Sequence, residues 1–304
     1  MEDFIRFAIS EGFTSYGISS HAPLPFSTAW TMEWDRMDDY LSEFSRLKEK
    51  YADKIELAIG LEIDYLDEDS NLSSVTDRIC RERKPLGIIF LGGSREDFSE
   101  DTSSFKVPCV IVTTSAENWS MEELSSVSID DEKAGETIVD YLIDHGHTKI
   151  AEIGANLELS QTAILRHNGY LNSFKKHGIT PDERYYEKAR FSYDSAYHAM
   201  KKLLEKDIEI TAVYAISDVM AIGAIRAILD KGLRVPDDIS ITGFDGSTLA
   251  EYYNPKIVSI RQPHKDMAAH SVELLFSMID LHKGSCHEII PFELTEGESV
   301  ARIN

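Results

Sequence analysis

Residues 212–245, AVYAISDVMAIGAIRAILDKGLRVPDDISITGFD, constrain the fold more than any other part of the chain. An apolar strand pattern ends in Ser217-Asp218 and a helix rich in small residues follows. A Gly232 turn and the VPDDIS turn then lead into a second apolar strand ending in Gly243-Phe244-Asp245. The spacing fits a strand–helix–strand unit with parallel strands. It sets two carboxylates, Asp218 and Asp245, just past the carboxyl ends of neighbouring strands, the edge at which open α/β sheets bind ligands.

The rest of the chain repeats this alternation, so the expected class is α/β with mainly parallel sheets. Helices are predicted over 3–11, 37–51, 72–83, 130–144, 158–176, 195–206 and 267–279. Strands are predicted over 14–19, 55–63, 86–91, 107–112, 149–153, 288–292 and 299–303. Residues 21–34 form a loop bearing Trp30 and Trp34, whose rings are expected to bury themselves, and 64–71 form an acidic loop. Gly92-Gly93-Ser94 reads as a plain turn rather than a phosphate loop.

Thirty-one basic residues against 53 acidic ones leave a net charge of −22, a field that repels a phosphate backbone, so direct DNA binding by this chain is not expected. Cys80, Cys109 and Cys286 share no metal-binding spacing and read as reduced, partly buried thiols. The N-terminal MEDFIRFAIS has no signal-peptide character, and no uncharged apolar run approaches the ~18 residues that span a bilayer. A cytoplasmic protein without membrane contact and without a cofactor is expected.

Five phrases in order, VSIDDEKAGETIVDYLIDHGHTKIAEIG, LRHNGYLNSFKKHGI, FSYDSAYHAMKKLL, ISDVMAIGAIRAILDKGLRVPDDISITGFDGS and PKIVSIRQP, resemble the effector-binding core of the LacI/GalR family of bacterial transcription regulators. The resemblance implies two Rossmann-like lobes of periplasmic-binding-protein type, joined by three crossovers, with a small effector, often a sugar or nucleobase, in the cleft. By motif it implies that Asp218 hydrogen-bonds the effector, Arg166 reaches in as a cation and Phe191 stacks on it, with Asp245 and Ser160 as looser candidates. The residues alone keep other readings open: Asp218 as a helix cap, Arg166 as a solvated helix residue, Phe191 as core. A homodimer is also implied. The family's helix-turn-helix is expected to lie outside this chain. Ile257-Val258-Ser259 and Gly297-Glu298-Ser299 depart from the family's usual Leu-Thr-Thr and Arg-Glu-Ser.

The opening residues resemble something else. FIRFAISEGFTSYGISSHAPLPF, WTMEWDRMDDYLSEFSRLKEKYADKIEL and IGLEIDYL are similar to the histidinol-phosphatase branch of the PHP metallophosphoesterases. That resemblance implies that His21 and Glu62 occupy metal-ligand positions. Two ligands do not make a cluster, so the site is expected to be vestigial and the chain non-catalytic. A metal-dependent histidinol-phosphate phosphatase, inactive as truncated, and a non-functional gene fusion are the alternatives. The expected division is a PHP-like segment at 1–71, a first lobe of 72–157 with 247–265, and a second lobe of 158–246 with 266–304. In it the opening segment supplies the first lobe's first strands, with 55–63 pairing in parallel beside 86–91.

Overall fold

The computed structural model describes residues 1–21, 32–62, 76, 80–81, 84–93, 107–119 and 121–303. Trp30, the 64–71 loop, most of the 72–83 helix and Ser94 lie outside the described residues, as do the side chains of Trp34 and Glu62. The chain divides into two units, Met1–Ser70 and Asn71–Asn304.

In the first unit, α1 (Glu2–Ser10) and α2 (Met37–Lys50) accompany β1 (Ser15–His21) and β2 (Glu56–Glu62), which pair in parallel. Apolar residues at helical spacing in α1 (Ile5 and Ala8) and in α2 and its C-cap (Phe44, Leu47 and Tyr51) meet Ile55 and Leu57 in a small core. Glu2 anchors the two helices from outside: it accepts hydrogen bonds from Arg6, Lys50 and Tyr51 and a weaker one from Arg46. These donors, Lys50 foremost, hold its carboxyl down at about 2.

The second unit holds two sheets. The smaller runs in the order β11 (His287–Ile289), β5 (Leu124–Ser128), β4 (Cys109–Val112), β3 (Ile88–Leu91), all parallel. Helix α8 (His264–Leu281) packs on β3, β4 and β5. The larger sheet runs in the order β12 (Glu293–Thr295), β10 (Val258–Arg261), β9 (Ser240–Asp245), β8 (Ala212–Ala215), β6 (Ile150–Gly154), β7 (Tyr186–Lys188). Only β12 is antiparallel. Every residue of β6 and β8 is buried, the mark of a parallel sheet covered on both faces. The helices with this sheet are α3 (Asp131–Asp144) against α4 (Gln161–Lys176), α5 (Tyr193–Glu205) against α6 (Asp218–Asp230), and the short α7 (Thr248–Tyr252).

The lobe boundaries differ from those expected. The chain leaves the small sheet at 129–130, so α3 and β6 belong with the large sheet rather than with a first lobe ending at 157. Strand β10 also lies in the large sheet, whereas α8 and β11, expected in the second lobe, lie with the small one. The three crossovers implied by the resemblance are present and short: 129–130, 262–263 and 290–292. The parallel pairing expected for 55–63 beside 86–91 is not among the described ladders, where β2 pairs with β1 and β3 with β4.

Two strands escape a pattern reading. The sequence Leu-Ser-Ser-Val-Ser of β5 looks polar, yet all five residues are buried. Its serines are satisfied: Ser125 takes an N–H from Cys286, and Ser126 takes one from Ala116 and meets His287 Nδ1 at 2.8 Å. Strand β7 is only three residues long. The strand expected at 299–303 is a strap instead, fastened by Ser299, Ala301 and Ile303 to Ile241, Ser240 and His145. Cys109 is buried and Cys80 intermediate, but Cys286 is exposed, contrary to expectation; none is in a disulfide.

Candidate functional site

Parallel strands align their carboxyl ends along one edge, and the candidates come in sequence at or after strands of the large sheet. Ser160 follows β6, Phe191 follows β7, Asp218 follows β8 and Asp245 ends β9. Gln262, which the sequence reading passed over, follows β10.

Arg166 is the centre. It lies on the inner face of α4, 3% exposed. Its Nε donates to Asp131 at 2.8 Å and its Nη1 to the Ile216 carbonyl at 2.6 Å. The guanidinium carbon stands 3.5 Å from the centroid of the Phe244 ring, and Nη1 is 3.8 Å from Asp245. Glycine makes this possible: a Cβ on Gly135 of α3 would sit 2.6 Å from the Arg166 carbonyl oxygen, so only glycine lets the two helices close enough to bring Asp131 to the arginine. Burial pulls the guanidinium pKa down, but attraction to Asp131 and Asp245 more than reverses this and keeps it charged. The solvated-helix reading of Arg166 is excluded.

The two carboxylates do different work. Asp218 is 1% exposed and both its oxygens are occupied, one by the Ser247 N–H at 2.6 Å and the other by Ser259 Oγ at 2.6 Å. It opens α6 without capping it; the cap is Ser217, which accepts from the Met220 N–H. Asp218 therefore serves as an anchor that fixes the turn after β9, in space left by Gly243. Burial pushes its carboxyl up, against those hydrogen bonds.

Asp245 is the open one. Its side chain keeps 32% of its surface, and its φ of 111° is a conformation that L-residues rarely adopt. Gln262 Nε2 donates to it at 2.8 Å. Burial pushes its carboxyl up to about 6, with Arg166 pulling the other way. A planar cation and a carboxylate of intermediate pKa, with an amide beside them, can accept from and donate to hydroxyl groups of a ligand.

The other candidates stand apart from this group. Ser160 caps α4, accepting from the Ala163 N–H at 3.2 Å. Phe191 lies in the bend before α5, 47% exposed and outside the core. The core reading of Phe191 is thereby excluded. Asp131 and Gln262 were missed. Both sit at crossovers, and the only trace in the sequence is a polar residue where a strand passes into the next helix.

Below this edge lies a row of buried polar groups. Glu152, Tyr214 and Thr242 are rung partners on β6, β8 and β9. Each has one side-chain oxygen without a partner. The other Glu152 oxygen meets His167 Nδ1 at 2.7 Å. Burial pushes the Glu152 carboxyl up and its attraction raises His167, so the pair favours holding a proton.

In the first unit His21 and Glu62 are the last rung of the β1–β2 ladder. They share an edge, but no group of three or more His, Cys, Asp or Glu able to hold a metal occurs among the described residues. A two- or three-metal cluster does not fit that set. His145 and His147 are not a ligand pair either: His145 Nδ1 meets the Tyr141 carbonyl, while His147 is buried between Thr211 and Ala301.

Residues 139–300 match the model of the periplasmic binding protein-like domain. The HTH-type transcriptional regulator MalR of Clostridium butyricum is 38% identical over 225 residues, 73% of this chain and 67% of that protein. The chain belongs to the LacI family, through its periplasmic-binding-protein-like domain. Catabolite control protein A of Priestia megaterium is 36% identical over 62% of the chain, and a PurR repressor of Histophilus somni 37% over 49%. The chain spans only 56% and 44% of those two. Among solved structures, a CelR–cellobiose complex superposes with a TM-score of 0.71 at 23% identity, covering 98% of this chain and 90% of that one. A sugar-binding LacI-family regulator from Escherichia coli, complexed with phosphate, gives 0.68 at 21%, covering 95% and 99%. MalR is named as a transcriptional regulator and PurR as a transcriptional repressor. No described helix is long and apolar enough to cross a membrane.

Proposed function

We propose that this LacI-family chain is the effector-binding core of a transcriptional regulator, a non-catalytic module that takes a small polyhydroxylated ligand, of sugar class, at the carboxyl edge of the large sheet. The observation that carries the reading is Arg166. A guanidinium that is 3% exposed, stacked on Phe244 and fixed by Asp131 is costly to bury. Its place beside the partly open Asp245 and Gln262 provides complementary donors and acceptors for adjacent hydroxyls. In this reading Asp245, not Asp218, is the carboxylate that accepts from the ligand, Asp218 holds the turn that presents it, and Phe191 covers the ligand's apolar side. Ser160 acts as a cap.

The net charge of −22 supports a reading in which this chain does not itself contact DNA. The module works as a homodimer in the cytoplasm, with ligand binding altering the balance between lobe arrangements. The PHP-like opening segment contributes structure and no metal chemistry.

A thermal-shift and calorimetric panel of ribose, glucose, maltose, cellobiose and inosine tests the site. At least one is expected to raise the melting temperature, with the gain lost in Asp245→Asn. Absence of binding across the panel would sink the proposal. Phosphatase turnover of histidinol phosphate with manganese, abolished by His21→Ala, would favour the metalloenzyme instead.

A further inference from the structure

Gln161 opens α4, directly after the Ser160 cap, and its side chain joins the carboxyl edges of the two sheets. Its Nε2 donates to the Ser115 carbonyl at 3.2 Å. Ser115 follows β4 of the small sheet, whereas Gln161 follows β6 of the large one.

The acceptor is held in place by its neighbours. Thr113 has a φ of 74°, a genuine outlier for a β-branched residue, which persists only where the surroundings enforce it. Thr114 Oγ1 donates to the Gly93 carbonyl at 3.1 Å. The Ala116 N–H donates to Ser126 Oγ at 3.1 Å, and that hydroxyl meets His287. The small sheet thus presents the Ser115 carbonyl at a fixed point.

That carbonyl also settles which way the Gln161 amide faces. A carbonyl oxygen accepts only from the NH2 end, so the amide cannot be reversed without setting two acceptors against each other. Oε1 is left on the opposite side, buried and with no donor. A buried acceptor without a donor is a cost that a protein retains where something else supplies the hydrogen.

We propose that Gln161 is a two-ended specificity contact. Its NH2 end ties the two lobes at the ligand edge, and its Oε1 takes a hydroxyl or N–H of the ligand. The ligand end rests on the effector-site reading above; the tie between lobes does not.

The full chain, with Cys80→Ser and Cys286→Ser and spin labels at the exposed positions Glu117 and Lys188, reports the separation of the two lobes. Gln161→Leu removes both ends, and the closed-to-open ratio is expected to fall roughly fivefold, as for one lost neutral hydrogen bond. Gln161→Glu provides a signature that a packing role lacks. At about pH 8 a carboxylate faces the Ser115 carbonyl and the distance lengthens; at about pH 5 a protonated end of a buried carboxyl can donate and the parent distance returns. Far-UV circular dichroism confirms that both variants fold. Identical distance distributions in parent and variants at both pH values would overturn the tie.

For the ligand end, the same five-compound panel is titrated into parent, Gln161→Leu and Asp245→Asn. Roughly tenfold weaker binding to Gln161→Leu supports it. Binding lost in Asp245→Asn but unchanged in Gln161→Leu overturns the ligand end while the effector site stands. If the parent binds nothing, ligand end and effector reading fail together, and the distance result alone decides the tie.

Discussion

Two clusters of charge in this chain solve opposite problems. Around Arg166, cation and anion are both buried, with side chains of Arg166 and Asp131 each 4% exposed. Around Glu2, three cations surround one carboxylate, but Arg6, Arg46 and Lys50 keep between 44% and 62% of their side-chain surface. The first arrangement has no solvent to fall back on, so each partner is obligatory. The second can exchange any one partner for water, and salt screens it. Charge that is expensive to keep marks a site. Charge that is cheap to keep marks a surface.

The largest test of this contrast is Asp131→Ala, which leaves a buried guanidinium without its anion. A loss of about 3–5 kcal/mol in urea-induced unfolding is expected. A change no larger than that of a surface pair would erase the distinction. Asp245→Asn addresses the open member of the same cluster. It is expected to weaken ligand binding about ten- to a hundredfold by calorimetry with little effect on stability, because its amide partner Gln262 stays satisfied by the remaining oxygen.

The pH dependence of Asp245 has a definite sign. A carboxyl raised from 3.8 to about 6 makes the empty folded state favour the protonated form, so the empty protein gains stability as pH falls from about 6 towards 4. A ligand hydroxyl donating to the ionised form reverses this for binding, and affinity should decline as pH falls through about 6. Titrations at a series of pH values check both. Tyr214→Phe comes next. If the hydroxyl has no partner, as the geometry shows, its removal is neutral or stabilising by about 1 kcal/mol; a bridging water would turn the change into a loss. At the small end stands Glu2. Its carboxyl is depressed from 4.5 to about 2, so it stabilises the folded first unit above pH 4.5, and that contribution fades as pH falls towards 2. Glu2→Gln should flatten this acid limb in circular dichroism, and added salt should shrink the difference.

Much of this was legible in the sequence because it depends on local period. The helical spacing of α2, α4 and α6 and the apolar strands β4, β6, β8 and β9 follow from residues within one turn or one pleat of each other. So did the choice of edge, since Asp218 comes just after one strand and Asp245 ends the next. What could not be read depends on residues far apart in the chain. Asp218 and Asp245 look alike in sequence, and only Ser247 and Ser259 make one an anchor and leave the other open. Strand β5 was hidden because its buried serines are answered by Cys286 and His287, about 160 residues away. The lobe boundary was misplaced for a related reason: after β5 the chain enters a helix, as it does within a lobe, and nothing local says that this helix lies on a different sheet.

The crossovers at 129–130, 262–263 and 290–292 restrict how the lobes can move. Links of two or three residues have no slack, and three of them together act like the leaves of a door hung on one pin. Sliding is blocked, and what remains is a swing set by a few backbone torsions. Ligand arriving at the edge would then be reported as a single angular step, the same everywhere in the lobe, instead of as a local loosening that dies away with distance.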